Sequence, residues 1–239
     1  ITQVSRERIR DEVLNILKTP KPSVGLKLME QTGLLTHTLP EVAQLRDVKL
    51  NPELHPEGTA LEHSYIATDS LPEKAPESVR WAALFHDIGK AEAVNLDRAV
   101  RADHHARLGA DGLADLLKSR LCLTKDVADQ VEFLVRNHMK PWFTPTFNRQ
   151  TARAWLGRMT DEQVEGLLML HKADAHSGNP TLSRPQNGNV QWVRDLRAEM
   201  KSDPEANRPL ANRLIDGAFL TKLGFKPSKL LGEIIDDAY

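Results

Sequence analysis

Cysteine, aromatic residues and long apolar runs are all scarce in this chain. One cysteine, Cys122, occurs among 239 residues, which excludes an intramolecular disulfide framework. Aromatic residues make up 5% of the chain, and alternating Val-rich or Thr-rich runs are absent, so the composition favours helices over sheets. No apolar run approaches the length of a membrane span, and no secretory signal is visible. We therefore expect a cytoplasmic protein with no membrane partner.

The charge is nearly balanced, and the length suits one large domain or a domain with an appendage. Lys and Arg total 32 against 33 Asp and Glu, which disfavours a strongly basic nucleic-acid module. Pro and Gly punctuate a succession of predicted helices, and Asp203-Pro204 begins a linker-like stretch. These features predict a helical domain over 1–202 and a small helical arm over 203–239.

Turn-forming residues set several predicted boundaries. Ser23 is predicted to cap a helix over 24–31. Residues 95–103 and 177–189 are predicted to be loops, the second because it is rich in Gly, Asn and Pro. Leu121 and Leu123 flank Cys122, which predicts a buried thiol.

The stretch His86-Asp87-Ile88-Gly89-Lys90 ends an apolar run and is the most informative part of the chain. Imidazole and carboxylate groups are good ligands for divalent metals, whereas the glycine and the lysine suit a nearby phosphate. Two adjacent ligands cannot hold a metal alone. Further ligands must therefore come from other segments.

Other candidate ligands continue stripes of residues at helical spacing. His138 and Asp174 each end an i, i+3, i+4, i+7 stripe, and His63 and His86 share such stripes with apolar residues. Taken alone, His138 is better explained as a hydrogen-bonded core histidine, and Asp174 as a salt-bridged or loop-capping acid. Together with the adjacent His-Asp pair, they favour a metal site, because an unpartnered inward carboxylate is costly.

Mixed imidazole and carboxylate ligation indicates which metals and which chemistry to expect. It suits Mn, Fe, Ni, Co or Zn and admits Mg. A metal ion held in this way lowers the pKa of a coordinated water and makes hydroxide available near neutral pH. The chemistry predicted is hydrolysis of a phosphoester.

These residues resemble the HD superfamily of metal-dependent phosphohydrolases. The superfamily pattern is a histidine, then a His-Asp pair, then a distant aspartate, and His63, His86, Asp87 and Asp174 fill those positions. The resemblance implies an all-α fold, with an HD-type helical core around a buried metal site. It also implies that Lys90 lies near the substrate phosphate.

A second metal ion is implied by the same resemblance. Many members of the superfamily add two histidines that hold it, with the aspartate of the His-Asp pair bridging the two ions. His105 and His138 match that pair, and Asp87 would be the bridge. His104 is adjacent to His105, but the spacing to Gly109 favours His105.

The resemblance is closer to the body of bacterial CCA-adding enzymes and related tRNA nucleotidyltransferases, some of which carry an HD domain. The stretches that carry it lie in 7–12, 32–41, 55–63 and 214–234. Nucleotide addition in that family needs a Gly-Ser pair and an Asp-x-Asp triplet in a head, and this sequence contains neither. We therefore expect no nucleotide-adding activity. In the arm, Ser228-Lys229 follows Lys226-Pro227 where the family often has Gly-Pro.

The leading hypothesis is a metal-dependent phosphohydrolase that uses one or two divalent ions, with Asp87 and Lys90 in catalytic roles. The resemblance points to a small nucleotide or RNA-end phosphoester, with 2′,3′-cyclic phosphates and 2′-nucleotides first. Two alternatives stay open: a tRNA-binding body that partners a separate head, for which the neutral charge predicts only weak tRNA contact, and a nucleoside triphosphate hydrolase. The sequence does not indicate whether the protein is a monomer or an oligomer.

His55 and Glu57 lie in a Pro-containing loop that leads to His63. They could shape substrate access or take part in acid–base chemistry. An ordinary turn explains them equally well from the sequence.

Overall fold

The computed structural model describes residues 4–93, 98–140, 149–177, 180–202 and 220–221. Within these ranges the chain is helical, which confirms the predicted all-α fold class. A 3-10 helix (Gln44–Asp47) and a π-helix (Leu116–Arg120) join some of the α-helices. The α-helices are α1 (Arg6–Leu17), α2 (Pro22–Gln31), α3 (Leu34–Thr38), α4 (Pro40–Ala43), α5 (Ala60–Asp69), α6 (Glu77–Phe85), α7 (Lys90–Ala93), α8 (Arg98–Asp115), α9 (Lys125–Asn137), α10 (Arg149–Leu156), α11 (Asp161–Ser177) and α12 (Pro180–Ser202).

The chain divides into two compact units. One comprises 1–145 and 160–190, and the other comprises 146–159 and 191–239. The arm predicted at 203–239 lies outside the described residues, apart from 220–221, so the predicted domain boundary stays a prediction. In the described ranges, no helix is both long enough and apolar enough to cross a membrane.

Side-chain caps fix the first residues of two helices that matter for the site. The Thr59 hydroxyl accepts a hydrogen bond from the backbone N–H of Glu62 at the start of α5. Thr160 and Gln163 exchange hydrogen bonds in a capping box at the start of α11. These caps set the helical register of α5 and α11, and therefore the faces on which His63 and Asp174 lie.

Helix α6 is buried on all sides in the first unit. Every residue from Ser78 to Phe85 is buried, and the Trp81 ring stacks on the Phe85 ring at 5.6 Å between centroids. The helix packs against α5, α9 and α11. A helix that is buried all round lies in the protein interior. Because α6 ends at Phe85, the residues that follow it, His86 and Asp87, also lie in the interior.

The second unit is built on α10 and the last turns of α12. Val193, Leu196 and Met200 are buried at helical spacing along α12, and Leu156 is buried on α10. The Arg197 guanidinium donates to the backbone carbonyl of Leu156 and to that of Met159, the latter at 2.8 Å. These bonds satisfy carbonyls that the end of α10 leaves without a helical partner.

Two local predictions are wrong. Ser23 does not cap its helix; instead its N–H and hydroxyl donate to the Asp69 carboxylate at 2.9 and 2.7 Å, and α2 begins at Pro22. A charged acceptor at the end of α5 competes successfully with the local backbone amide. Cys122 is partly exposed rather than buried; it follows the π-helix and has a φ of 48°.

The predicted loops at 95–103 and 177–189 are wrong where the structure describes them. Helix α8 already begins at Arg98, and α12 runs from Pro180. Buried residues further along each helix, such as Ala110 and Val193, anchor it to the core. Extending an anchored helix adds one hydrogen bond per ordered residue, so the helix continues through composition that locally favours a loop.

One buried cation joins α6 to the chain that precedes it. Arg80 is buried, and its guanidinium donates to the backbone carbonyl oxygens of Leu17 at 2.6 Å, Glu73 at 2.5 Å and Ala75 at 3.1 Å, with a longer contact to Pro72 at 3.4 Å. These carbonyls belong to the end of α1 and to the turn before α6. The guanidinium replaces the water that would otherwise solvate them.

We expect Arg80→Met to lower the free energy of unfolding by about 2–4 kcal/mol, because the carbonyls of Leu17 and Ala75 lose a charged donor in buried hydrogen bonds while the aliphatic volume stays. Urea unfolding monitored by circular dichroism measures the change. The control is Arg136→Met, since Arg136 pairs with Asp111 and Glu132 at the surface and its loss should cost at most about 1 kcal/mol. Equal losses in the two variants would contradict the assigned role of Arg80.

Candidate metal site

The six predicted metal ligands come together in the interior of the first unit. They are contributed by α5 (His63), the end of α6 (His86 and Asp87), α8 (His105), the end of α9 (His138) and α11 (Asp174). Five of these side chains are at most 4% exposed, whereas the Asp174 side chain is 25% exposed. The side of the cluster at Asp174 is therefore the side that solvent reaches.

One group of potential ligands consists of His63, His86 and Asp174, whose donor atoms all lie within 4.8 Å of one another. Asp174 Oδ1 lies 2.8 Å from His63 Nε2 and 3.8 Å from His86 Nε2. Among the described residues, the buried His86 Nε2 has no hydrogen-bond partner. A buried nitrogen without a partner is costly, and a metal ion at this position would satisfy it.

A second group consists of Asp87, His105 and His138, again with donor atoms within 4.8 Å. His105 Nε2 lies 3.1 Å from His138 Nε2 and 3.4 Å from Asp87 Oδ1. The other oxygen, Asp87 Oδ2, faces His86 Nε2 at 3.5 Å and His63 Nε2 at 3.8 Å. The Asp87 carboxylate thus presents one oxygen to each group. Its placement fits the predicted bridging position, and His105 rather than His104 joins the cluster.

Helix ends orient two of the histidines. His86 and His138 are the C-cap residues of α6 and α9. Their Nδ1 atoms lie 2.9 Å from the Ala83 carbonyl oxygen and 2.7 Å from the Val135 carbonyl oxygen, each three residues earlier. Carbonyls in the last turn of a helix lack an intrahelical partner and accept such bonds readily. With the proton held on Nδ1, each ring turns the lone pair of Nε2 to the cluster.

A side chain from the preceding loop orients the third histidine. Glu57 Oε1 lies 2.6 Å from His63 Nδ1 and 2.9 Å from His55 Nδ1. The Glu57 side chain is only 4% exposed. From the sequence alone, an ordinary turn explains Glu57 as well as a role at the site does. The only sequence signal for a contact with His63 is the Glu-x5-His spacing. That spacing is a weak signal, because the contact depends on the conformation of the loop.

Gly89 is required by packing. A Cβ atom on Gly89 would lie 2.0 Å from the His105 carbonyl oxygen and 2.5 Å from the Gly109 backbone nitrogen. Helix α8 therefore passes directly against the chain that follows Asp87. The close approach of the two backbones brings His105 to Asp87, which is a steric reason for the glycine that the sequence-based phosphate interpretation did not include.

Lys90 lies at the edge of the cluster. Its ammonium group is 2.5 Å from Asp87 Oδ2, and its side chain is 21% exposed. The ammonium group therefore has a carboxylate partner on a side chain that is partly exposed. Its predicted contact with a substrate phosphate stays a prediction.

The charge states suit a metal. Burial opposes ionisation of Asp87, but Lys90 and the surrounding histidines hold its pKa well below the usual range. Burial likewise opposes ionisation of Asp174, and the hydrogen bond from His63 outweighs it and lowers that pKa. Burial, with His86 and His105 nearby, lowers the pKa of His138 to about 3. Two carboxylates are thus anionic and His138 is neutral at pH 7, as metal ligation requires.

His63 differs from His138 in charge. Burial opposes its protonation, but hydrogen bonds with Asp174 and Glu57 outweigh burial and raise its pKa to about 9. In the protein without metal, its Nε2 proton lies between the ring and Asp174. A metal ion would take the place of that proton, while the Nδ1 proton would stay on the ring and donate its hydrogen bond to Glu57.

Two family matches cover much of the chain. Residues 54–179 match the HD domain, and residues 1–46 match the family described as "Probable RNA and SrmB- binding site of polymerase A". The HD match contains all six residues of the cluster. HD domains bind divalent metals, and the family consists generally of metal-dependent hydrolases.

Curated relatives include tRNA nucleotidyltransferases. The chain is 38% identical over 217 residues to the CC-adding tRNA nucleotidyltransferase of Thermus thermophilus, covering 86% of this chain and 46% of the relative. It is 29% identical over 236 residues to the A-adding tRNA nucleotidyltransferase of Deinococcus radiodurans, covering 96% and 52%. A multifunctional CCA protein of Xanthomonas campestris is 28% identical over 87% of this chain and 55% of its own length. The chain thus spans about half the length of these relatives. Because the HD domain covers more than half of the sequence, the chain belongs to the HD-domain family, as the sequence pattern predicted.

Proposed function

We propose that this chain is a metal-dependent phosphohydrolase that acts on nucleotide phosphoesters. The observation that supports the proposal is the convergence of His63, His86, Asp87, His105, His138 and Asp174 on one buried cluster from five separate helices. Structural ion pairs alone do not account for so many imidazole groups facing two carboxylates. The donor set and the protonation states suit one or two divalent ions among Mn, Fe, Ni, Co, Zn and Mg.

The six residues would hold up to two metal ions in the proposed reaction. His63, His86 and Asp174 would hold one ion, His105 and His138 a second, and Asp87 would contact both. Such ions would supply hydroxide near neutral pH and withdraw charge from phosphoryl oxygens.

Lys90 would assist beside Asp87. Its ammonium group lies next to Asp87 on a partly exposed side chain and would offset the negative charge on the phosphoryl oxygens of a substrate. The partial exposure of Asp174 supports entry of the substrate from the side of Asp174.

The substrate class is inferred from the resemblance and from the relatives. The relatives are named as tRNA nucleotidyltransferases, so nucleotides and RNA ends are the phosphoesters to test first. We propose 2′,3′-cyclic nucleotide phosphates and 2′-nucleotides as the leading compounds. Nucleoside triphosphates represent the third hypothesis from the sequence.

We expect metal-free protein reloaded with Mn, Ni or Co to hydrolyse at least one of 2′,3′-cyclic AMP, 2′-AMP and ATP. Activity should be lost on chelation and in Asp174→Ala, because the variant removes an anionic ligand that α11 contributes from far along the sequence. Phosphate release and chromatography of the nucleotide products measure turnover. The control is Asp129→Asn, since Asp129 is an exposed carboxylate paired with Lys125 at 2.9 Å, away from the cluster.

A second candidate function is a tRNA-binding body, which the match of residues 1–46 favours. Affinity for RNA rests largely on cationic contacts, and the chain has a net charge of −1. We therefore expect weak tRNA binding that falls steeply with salt in the same preparations. Tight, salt-resistant binding without turnover of any substrate would favour the binding body over the enzyme, and turnover of ATP alone would favour the triphosphate hydrolase.

A further inference from the structure

We infer that Glu57 is a positioning residue of the candidate metal site: its carboxylate holds the Nδ1–H of His63, so that His63 Nε2 is presented to Asp174 and His86. The inference rests on the proposed metal site, and it assigns a role to a residue outside the six ligands. It follows from a difference between His63 and the two histidines at helix ends.

His63 lies within α5, where the backbone offers no free acceptor. The Thr59 carbonyl accepts the backbone N–H of His63, and the Ala60 carbonyl accepts the Ser64 hydroxyl at 3.0 Å. His86 and His138 use carbonyls of a last helical turn, and α5 continues for six residues beyond His63. An acceptor for His63 Nδ1 must therefore come from another segment, and Glu57 is that acceptor at 2.6 Å.

The loop that carries Glu57 is itself held in place. Leu50 N–H donates to the Gly58 carbonyl at 2.9 Å, and Ala60 N–H donates to the Val48 carbonyl at 2.9 Å, on either side of the bridge between Lys49 and Thr59. These bonds hold the backbone immediately after Glu57. The position of the carboxylate is therefore restrained, as a residue that orients a metal ligand requires.

The bonding of the carboxylate is one-sided. Glu57 Oε1 accepts hydrogen bonds from Nδ1 of His55 and Nδ1 of His63, whereas the buried Oε2 has no hydrogen-bond partner among the described residues. Burial opposes ionisation of Glu57, but the hydrogen bonds, led by that with His63, lower its pKa, so the acceptor is an anion. Anionic acceptors make the stronger hydrogen bonds to imidazole N–H groups.

The same atoms also have the spacing of a metal site. The donor atoms of His55, Glu57 and His63 lie within 4.8 Å of one another, which would also suit a metal ion. The separations of 2.6 and 2.9 Å from a single oxygen to the two nitrogens are those of hydrogen bonds. We therefore favour the positioning role, and the test separates the two.

The experiment compares Glu57→Ala, Glu57→Gln and His55→Ala with the parent protein, each first stripped of metal. Titration with Zn²⁺ by calorimetry gives affinity and stoichiometry, and a ¹H–¹⁵N spectrum of histidine-labelled protein, assigned through His63→Gln, reports the Nδ1–H of His63. We expect Glu57→Ala to weaken Zn²⁺ binding by roughly 10–100-fold and to remove the His63 Nδ1–H signal, because the ring loses its acceptor.

The two other variants make the test specific. Glu57→Gln keeps an acceptor oxygen and should recover part of the affinity, which also covers a failure of Glu57→Ala to fold. His55→Ala leaves the His63–Glu57 bond intact, so its effect should stay below roughly 10-fold with the His63 signal retained.

Three outcomes would overturn the inference. Unchanged affinity in Glu57→Ala with an unchanged fold by circular dichroism would show that His63 needs no such anchor. A loss in Glu57→Gln as large as in Glu57→Ala would show that the acceptor oxygen is not what matters. Loss of one bound Zn²⁺ per chain in both His55→Ala and Glu57→Ala would instead assign a metal to those residues. Failure of the parent to bind any metal would refute the proposed function itself.

Discussion

Asp87→Asn is expected to abolish both metal binding and hydrolysis. The two oxygens of Asp87 face the two groups of potential ligands, at 3.4 Å from His105 Nε2 and 3.5 Å from His86 Nε2. An amide of the same shape is neutral and a poor metal ligand. Removal of a partner outside the ligand set costs about 10–100-fold in metal affinity, and loss of a carboxylate between two ions should exceed that range. Elemental analysis after dialysis against Mn²⁺ or Zn²⁺ measures the effect.

Two comparisons make the Asp87 experiment decisive. Asp129→Asn also removes a carboxylate paired with lysine, but at the surface, and should keep the full metal content. His105→Gln should lower the content from about two ions per chain to about one if the site is binuclear. An Asp87→Asn protein that keeps the parental metal content would refute the ligand assignment.

Much of the candidate site could be predicted from the sequence, because helical spacing indicates which side chains point to the core. His63, His86, His138 and Asp174 each continue a stripe on a helix, and a residue on such a stripe points to the core whatever the arrangement of the helices. Asp87 came from its place next to His86, and its bridging role and the choice of His105 came from the resemblance. The structure brings all of these residues together, and their role as ligands stays a prediction.

Other features depend on how segments approach one another, which a local pattern does not report. The bond between Glu57 and His63 requires the loop before α5 to fold back onto that helix. Ser23 bonds Asp69, 46 residues away. The extension of α12 from Pro180 depends on an anchor further along the helix, which overrides the loop-like composition of 180–189. In each case an interaction with a distant residue outweighs the local preference.

Gly89 is the position where fold and site depend most closely on each other. It is not among the glycines with positive φ in the described residues, so its backbone conformation is open to other residues. Its importance comes from the space it leaves for the His105 carbonyl and the Gly109 nitrogen. Both neighbours are backbone atoms of α8, which cannot rotate away as a side chain can. Any side chain at Gly89 must therefore push α8 from the turn that carries Asp87.

We expect Gly89→Ala to lower the free energy of unfolding by about 3 kcal/mol or more, at the upper end of the range for overpacked sites. The protein that still folds should bind less metal, because displacement of α8 separates His105 from Asp87. Gly112→Ala is the matched control on the same helix, since a Cβ there meets nothing within 4 Å. That change should stabilise the protein by up to about 1 kcal/mol through the higher helix propensity of alanine.

Urea unfolding and metal analysis of the two variants distinguish the packing role of Gly89 from the phosphate role that the motif suggested. If Gly89 served chiefly to admit a substrate phosphate, Gly89→Ala would unfold at the parental urea concentration, keep its metal and lose only affinity for substrate. If it serves chiefly to admit α8, stability and metal content fall together, in the absence of any substrate. The Cβ of an alanine at position 89 would lie 2.0 Å from the His105 carbonyl oxygen, which supports the second outcome, because no rearrangement of side chains can relieve a contact with the backbone.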